Sequence, residues 1–151
     1  MCIIVDANRL GVFLSEPASD DAAPIRDWLD RRGGRIVYST GGAFDEEVGR
    51  PTRARLRAYV QAGNAQVVPA HRFAADEGSR RERADLRSDD PHVLALARWT
   101  GVRLLYTGDQ NLVADFKNKQ FVDRPRGKVY SSAANADLLT RAACAAPSRR
   151  G

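Results

Sequence analysis

The chain opens with Met1-Cys2-Ile3-Ile4-Val5-Asp6-Ala7-Asn8, an apolar run that stops abruptly at a carboxylate. The run is continuous and rich in β-branched residues, which is typical of a strand buried on both faces in the middle of a parallel sheet. In an open α/β sheet, ligands bind outside the carboxyl ends of the strands. Asp6 therefore marks the edge of the sheet where we expect a functional site, with the polar side chain of Asn8 beside it.

The remainder of the chain alternates between short apolar runs and segments with helical spacing. The predicted strands after the first are 35–38, 66–69, 102–106 and 128–130. The predicted helices are a short one within 9–14, then 25–29, 44–48, 51–60, 91–99, 111–116 and a last one around 138–139. Strands that alternate with helices predict an α/β three-layer sandwich, in which a central parallel β-sheet carries helices on both faces.

Length and composition indicate a single globular domain. With 151 residues, 43% hydrophobic and 28% charged, the chain can bury one sizeable core, and wholesale disorder is excluded. We expect one domain over 1–151, with a frayed basic tail from about residue 144 to 151. The net charge of +5 favours a polyanionic partner. The charged stretch 71–87 is expected to be a helix or a partly mobile surface loop.

The cysteines and the hydropathy pattern bear on the compartment. Cys2 and Cys144 show neither metal-ligand spacing nor a disulfide framework, which fits a reducing cytosol. The apolar run at 2–5 is too short for a signal peptide or a membrane span, and no other apolar run is long enough for either. We therefore expect a cytoplasmic protein that makes no membrane contact.

Several acids fall where parallel-sheet geometry would gather them. Asp6 ends the first strand, and Asp109 follows the fourth by a short turn. In a crossover unit the helix runs antiparallel to the strands, so its N-terminus lies at the same edge as their carboxyl ends. Asp90 begins such a helix, and Glu46 or Glu47 begins another. Four carboxylates are therefore expected to converge on one edge.

Helical phase separates the two glutamates. Phe44 and Val48 mark the buried stripe of their helix, so Glu47 flanks the stripe and Glu46 points away. We prefer Glu47 as the ligand and keep Glu46 as the reserve. Hard oxygen ligands without cysteine select Mg²⁺ or Mn²⁺ rather than zinc. Two such ions roughly 4 Å apart can activate water and stabilise the leaving oxygen of a phosphodiester.

Simpler interpretations remain open for each acid. Asp90 could be an N-cap before Pro91, Asp109 a turn residue, and the glutamates a solvated helix face. Asp115 could line the metal pocket or face water. Asn8 and Thr107 could orient the carboxylates by hydrogen bonds, or could be ordinary turn caps.

Four motifs together resemble the PIN domain, a family of small metal-dependent nucleases. They are Ile3-Ile4-Val5-Asp6-Ala7-Asn8, Glu46-Glu47-Val48, Asp90-Pro91-His92-Val93-Leu94-Ala95-Leu96-Ala97 and Leu104-Leu105-Tyr106-Thr107-Gly108-Asp109. Their order and spacing cover about residues 2–130. In the family the second acid usually precedes an apolar residue, which again favours Glu47. The longer charged stretch 71–87 departs from compact members.

The resemblance implies an activity and partners. It implies Mg²⁺- or Mn²⁺-dependent endoribonuclease cleavage of single-stranded RNA, with Asp6, Glu47, Asp90 and Asp109 as catalytic metal ligands. Many small prokaryotic members are toxins of type II toxin–antitoxin systems, form homodimers and are neutralised by a cognate antitoxin. The longer charged stretch 71–87 counts against the toxin assignment, but it does not count against the nuclease assignment.

The sequence also contains candidate RNA contacts and leaves two rival functions open. Arg50, Arg53 and Arg57 lie in a basic run without an acid, directly after the glutamate helix, where they could neutralise flanking phosphates or simply be solvated. One rival is a catalytically inactive RNA-binding or protein-interaction module on the same scaffold. The other is a small Asp-dependent phosphatase, although that site wants a second Asp where this chain has Asn8.

Overall fold

A computed structural model describes residues 2–6, 9–10, 13–14, 19–40, 50–76 and 85–139. Within them, five strands form one sheet in the order β3-β2-β1-β4-β5, and every neighbouring pair is parallel. The strands are β1 Cys2–Val5, β2 Arg35–Thr40, β3 Ala65–Pro69, β4 Leu104–Tyr106 and β5 Lys128–Tyr130. The predicted parallel α/β sandwich is confirmed.

Four α-helices that lie wholly within the described residues connect the strands. They are α1 Ala23–Arg31, α2 Arg50–Gln61, α3 Pro91–Thr100 and α4 Gln110–Lys117. Two 3-10 helices, Ala70–Arg72 and Ala133–Leu138, follow β3 and β5. No helix among the described residues is long and apolar enough to cross a lipid bilayer.

The sheet separates two hydrophobic cores, and alternation along β1 assigns its side chains to them. Ile3 and Val5 pack in the core with α1 and α2, whereas Ile4 packs in the opposite core with α3 and α4. Successive side chains on a strand point to opposite faces. β1 is central and buried throughout, as its unbroken apolar sequence predicts. β3 lies at an edge, where its terminal Pro69 is tolerated.

Two sequence predictions differ from the structure in detail. The fourth strand begins at Leu104 rather than Val102, because 101–103 are used to leave α3 through Gly101 in its left-handed conformation. The helix expected around 138–139 is the 3-10 helix Ala133–Leu138, which starts at a capping box between Ser132 and Asn135. The segment comprises two short 3-10 turns that meet at a kink at Asn135, because 3-10 runs longer than three or four residues are uncommon.

Cys2 is disulfide-bonded, which contradicts the expectation that the chain has no disulfide framework. Spacing along the sequence carries little information about pairing between distant cysteines, because pairing depends on distance in the folded chain. The cysteine argument for a reducing compartment therefore falls away. The predicted helix 44–48, residues 77–84 of the charged stretch and the tail 144–151 lie outside the described residues.

Candidate metal centre

Asp6 stands at the carboxyl edge of the central strand, with its side chain on the α3/α4 side of the sheet. It follows Val5, which points to the other core, and it is only 2% exposed. The Asp6 N–H donates to the Tyr106 carbonyl at 2.9 Å, which extends the β1–β4 ladder by one residue. A buried carboxylate needs polar partners, since an unsatisfied one is costly. The next residue along β4, Thr107, supplies one.

The Thr107 hydroxyl links two of the predicted acids. Its Oγ1 donates to Asp6 Oδ2 at 2.7 Å and accepts the Asp109 N–H at 3.1 Å. Thr107 is fully buried, so a single rotamer holds both bonds. The side chain predicted to orient the carboxylates thus contacts one acid directly and the backbone of another.

Asp109 occupies the N-cap position of α4 and caps the helix. Its Oδ1 accepts the N–H groups of Asn111 at 2.9 Å and Leu112 at 3.3 Å. The turn-forming role foreseen as the simpler interpretation is therefore real. It does not use the second carboxylate oxygen, Oδ2, which leaves Asp109 able to act at the edge of the sheet as well.

Asp90 holds the N-cap position of α3 but makes no side-chain capping bond. Burial, followed by the nearby carboxylates of Asp6, Asp109, Asp89 and Asp115 in that order, raises the pKa of the Asp90 carboxyl to about 6. Like charges shift a pKa in this way only when they are close. Sequence reasoning expected Asp6, Asp90 and Asp109 to converge, and Asp90 lies within electrostatic range of both of the others.

Asp115 is 1% exposed and serves the backbone of the segment before α3. Its carboxylate accepts the Arg87 N–H at 3.0 Å and the Ser88 N–H at 2.8 Å. Ser88 Oγ in turn accepts the Asp90 N–H at 3.3 Å. Asp115 therefore fixes the approach of the chain to Asp90, a role that sequence reasoning missed because it depends on contacts between α4 and a distant loop.

The structure describes only some of the remaining predicted site residues. Glu46, Glu47 and Asn8 lie outside the described residues. The three arginines Arg50, Arg53 and Arg57 lie on α2, whose N-terminus faces the same edge as Asp6 because α2 runs antiparallel to the strands it connects. Arg57 is close enough to Tyr38 to oppose, through its charge, the rise in the Tyr38 pKa that burial causes.

The donor chemistry fits a hard divalent cation, because the residues that converge supply carboxylate oxygens alone. Mutual repulsion among Asp6, Asp90 and Asp109 is what such a cation would relieve. In the described part of the chain, however, no three His, Cys, Asp or Glu side chains come together closely enough to hold a metal ion. The fourth predicted acid, Glu47, belongs to the segment that is not described.

No family model, no curated protein and no solved structure matched the chain.

Proposed function

We propose that the chain is a metal-dependent endoribonuclease that cleaves phosphodiester bonds of single-stranded RNA, on a PIN-like scaffold. The observation that carries the proposal is that the Asp90 carboxylate lies among other carboxylates at the start of its helix. Its carboxylate forgoes the helix cap and is instead coupled to Asp6 and Asp109 across three separate elements. A solvated or purely structural acid gains no stability from lying near other carboxylates, whereas carboxylate ligands of Mg²⁺ or Mn²⁺ must converge on the ion.

The roles of the residues follow from their positions. Asp6, Asp90 and Asp109 would hold the cation, with Glu47 as the fourth proposed ligand, and the cation would activate water and stabilise the leaving oxygen. Thr107 fixes the rotamer of Asp6 through its 2.7 Å hydrogen bond. Asp109 keeps one oxygen for the α4 cap and presents the other.

Substrate and partners are proposed on charge and on the family resemblance. The α2 arginines Arg50, Arg53 and Arg57 would bind flanking phosphates of the RNA, in keeping with the net charge of +5. We further propose that the protein acts in the cytoplasm as the toxin of a toxin–antitoxin pair, as a homodimer bound by a cognate antitoxin.

The test is cleavage of end-labelled single-stranded RNA by purified protein with Mg²⁺, with Mn²⁺ and with EDTA. We expect cleavage with either metal, none with EDTA, and a loss of at least about 100-fold in Asp6→Asn. Asp30→Asn is the matched control, because Asp30 is an exposed acid near the C-terminus of α1, at the opposite edge of the sheet. Circular dichroism of each variant checks that the fold is retained. Full activity in Asp6→Asn would refute the mechanism.

One observation favours a second candidate, a catalytically inactive RNA-binding module. The described residues do not by themselves form a three-ligand metal group. This candidate predicts RNA binding without cleavage and without any stabilisation of the protein by Mn²⁺. A phosphomonoester assayed in parallel separates both nuclease and binding module from a small phosphatase.

A further inference from the structure

Arg9 is anchored at the edge of the sheet beside the acids but plays no part in the site described so far. Its N–H donates to the Asp6 carbonyl at 2.8 Å. Its guanidinium lies against Gly108, in the space that a Cβ on that residue would occupy. Gly108 separates Thr107 from Asp109, so the guanidinium covers the turn that carries the metal-site residues. An Arg at position 9 carries no recognisable motif, which is why sequence reasoning passed over it.

The turn has opposite charges on its two sides. Asp6 and Thr107 share the α3/α4 side, where Asp90 begins its helix. Tyr106 points to the α1/α2 side, and there the Arg9 charge opposes the rise in the Tyr106 pKa that burial causes. Arg9 is not among the charges that act on Asp90. Its guanidinium therefore does not offset the repulsion that acts on the Asp90 carboxylate.

Arg9 forms no ion pair with the residues that the structure describes. No carboxylate among the described residues lies within ion-pair distance of it; Asp21, which also acts on Tyr106, forms no ion pair with it. Arg9 is half-buried, so its position is partly fixed before any ligand binds. A preorganised guanidinium is suited to a phosphate, which it can contact through two parallel hydrogen bonds.

We propose that Arg9 forms a phosphate subsite, which binds the phosphodiester adjacent to the one cleaved as the RNA strand crosses the Thr107–Asp109 turn. The inference rests on the proposed function and adds to it the path of the substrate. The scissile phosphate lies on the acid side, and its neighbour lies on the arginine side. Arg9 acts in substrate binding and positioning rather than in the chemical step.

The experiment measures binding of a short fluorescent single-stranded RNA by anisotropy across a salt series, with Ca²⁺ in place of the catalytic metal. Removing one phosphate contact should reduce the slope of log Kd against log salt concentration by about 0.7. We expect that reduction in Arg9→Gln, together with a raised KM and a nearly unchanged kcat in the Mg²⁺ cleavage assay. Arg32→Gln is the matched control, because Arg32 is exposed just after α1, at the opposite edge of the sheet.

Gly108→Ala tests geometry without changing charge. The added methyl must displace the guanidinium of Arg9, the flexible end of a side chain, and leaves the net charge as it was. We expect the same reduced slope as in Arg9→Gln, while the stabilisation of the protein by Mn²⁺ stays at the wild-type value. That second measurement shows that the acid cluster has not been disturbed.

The outcomes are distinguishable. A wild-type slope in Arg9→Gln, or an equal loss in Arg9→Gln and Arg32→Gln, overturns the subsite while the nuclease proposal stands. A wild-type slope in Gly108→Ala overturns it too, since the contact would not depend on where the guanidinium lies. Wild-type protein that neither binds nor cleaves RNA overturns the proposed function, and the subsite with it.

Discussion

Asp90 is a single residue that destabilises the metal-free fold locally, at the carboxyl edge of the sheet. An Asp at an N-cap usually stabilises a helix by about 1 kcal/mol through a bond to a backbone N–H. Asp90 makes no such bond and sits among other carboxylates that raise its pKa. Asp109, in the equivalent position of α4, does cap its helix. The two N-caps differ in this respect, and the uncapped one is the one whose pKa the surrounding carboxylates raise.

Neutralising Asp90 should stabilise the metal-free protein. At pH 8 its carboxyl, with a pKa of about 6, is ionised and repels Asp6 and Asp109. We expect Asp90→Asn to melt at a higher temperature than the wild type in EDTA, because that repulsion is removed. Saturating Mn²⁺ should stabilise the wild type and leave the variant unchanged, so that their difference shrinks or reverses. Differential scanning fluorimetry with and without the metal provides both measurements.

Asp89 supplies the graded control for that prediction. It is exposed, and it acts on Asp90 more weakly than Asp6 and Asp109 do. Asp89→Asn should therefore raise the melting temperature in EDTA by less and should retain the response to Mn²⁺. Equal melting temperatures for wild type and Asp90→Asn in EDTA would contradict the repulsion that we infer.

Among the elements, α4 positions α3 through one buried carboxylate. Asp115 lies on α4 and accepts the N–H groups of Arg87 and Ser88, just before α3 begins. The N-terminus of α3, and with it Asp90, is thus fixed to the sheet through a helix other than its own. This arrangement explains why a short loop can present an uncapped helix end in a defined place.

Weakening that carboxylate should loosen the start of α3. We expect Asp115→Asn to lower the free energy of unfolding by roughly 1–3 kcal/mol, because an amide places donors against buried N–H groups. Hydrogen exchange should speed up most at the amides of Arg87 and Ser88. Urea denaturation and exchange mass spectrometry measure the two effects. Asp123→Asn, at an exposed acid, should change neither.

The elements also show how far sequence reasoning reaches. The positions of Asp6, Asp90 and Asp109 followed from strand ends and helix starts, because in a crossover unit those positions are set by chain direction alone. The roles of Asp115 and Arg9 could not be predicted from the sequence. Each depends on a contact between segments far apart in sequence or on the missing Cβ of Gly108, and no periodicity encodes these.

For the whole molecule, the sheet edge joins two halves of opposite character. The acids lie on the α3/α4 side, and Arg9 and the α2 arginines belong to the α1/α2 side. Under the proposed function, a single strand of nucleic acid would place one phosphate over the cation and the next over the guanidinium of Arg9. The scaffold must therefore keep both layers in register with the sheet.

Tyr130 is one of the groups that maintain that register on the α1/α2 side. Its ring packs edge-on against Tyr106 with centroids 5.4 Å apart, and its hydroxyl donates to the Asp21 carbonyl at 2.6 Å. Asp21 Oδ1 also accepts the Ala133 N–H at 3.1 Å. Edge strand β5, the segment before α1 and the 3-10 helix after β5 are thereby joined at one point.

This junction should weaken in alkali. Burial, then Tyr106 and Asp21, raises the pKa of Tyr130 to about 12, against about 10 in an unfolded chain. The neutral hydroxyl is favoured by folding, so its contribution to stability is complete below pH 10 and is lost as the pH rises towards 12.

At pH 8, Tyr130→Phe should cost about 1 kcal/mol for the lost hydrogen bond. Between pH 10 and 12 the wild type should lose stability more steeply than the variant, and the two urea midpoints should converge. Parallel losses in both proteins would show that Tyr130 titrates alike in the folded and unfolded chains, and that the junction does not depend on its proton.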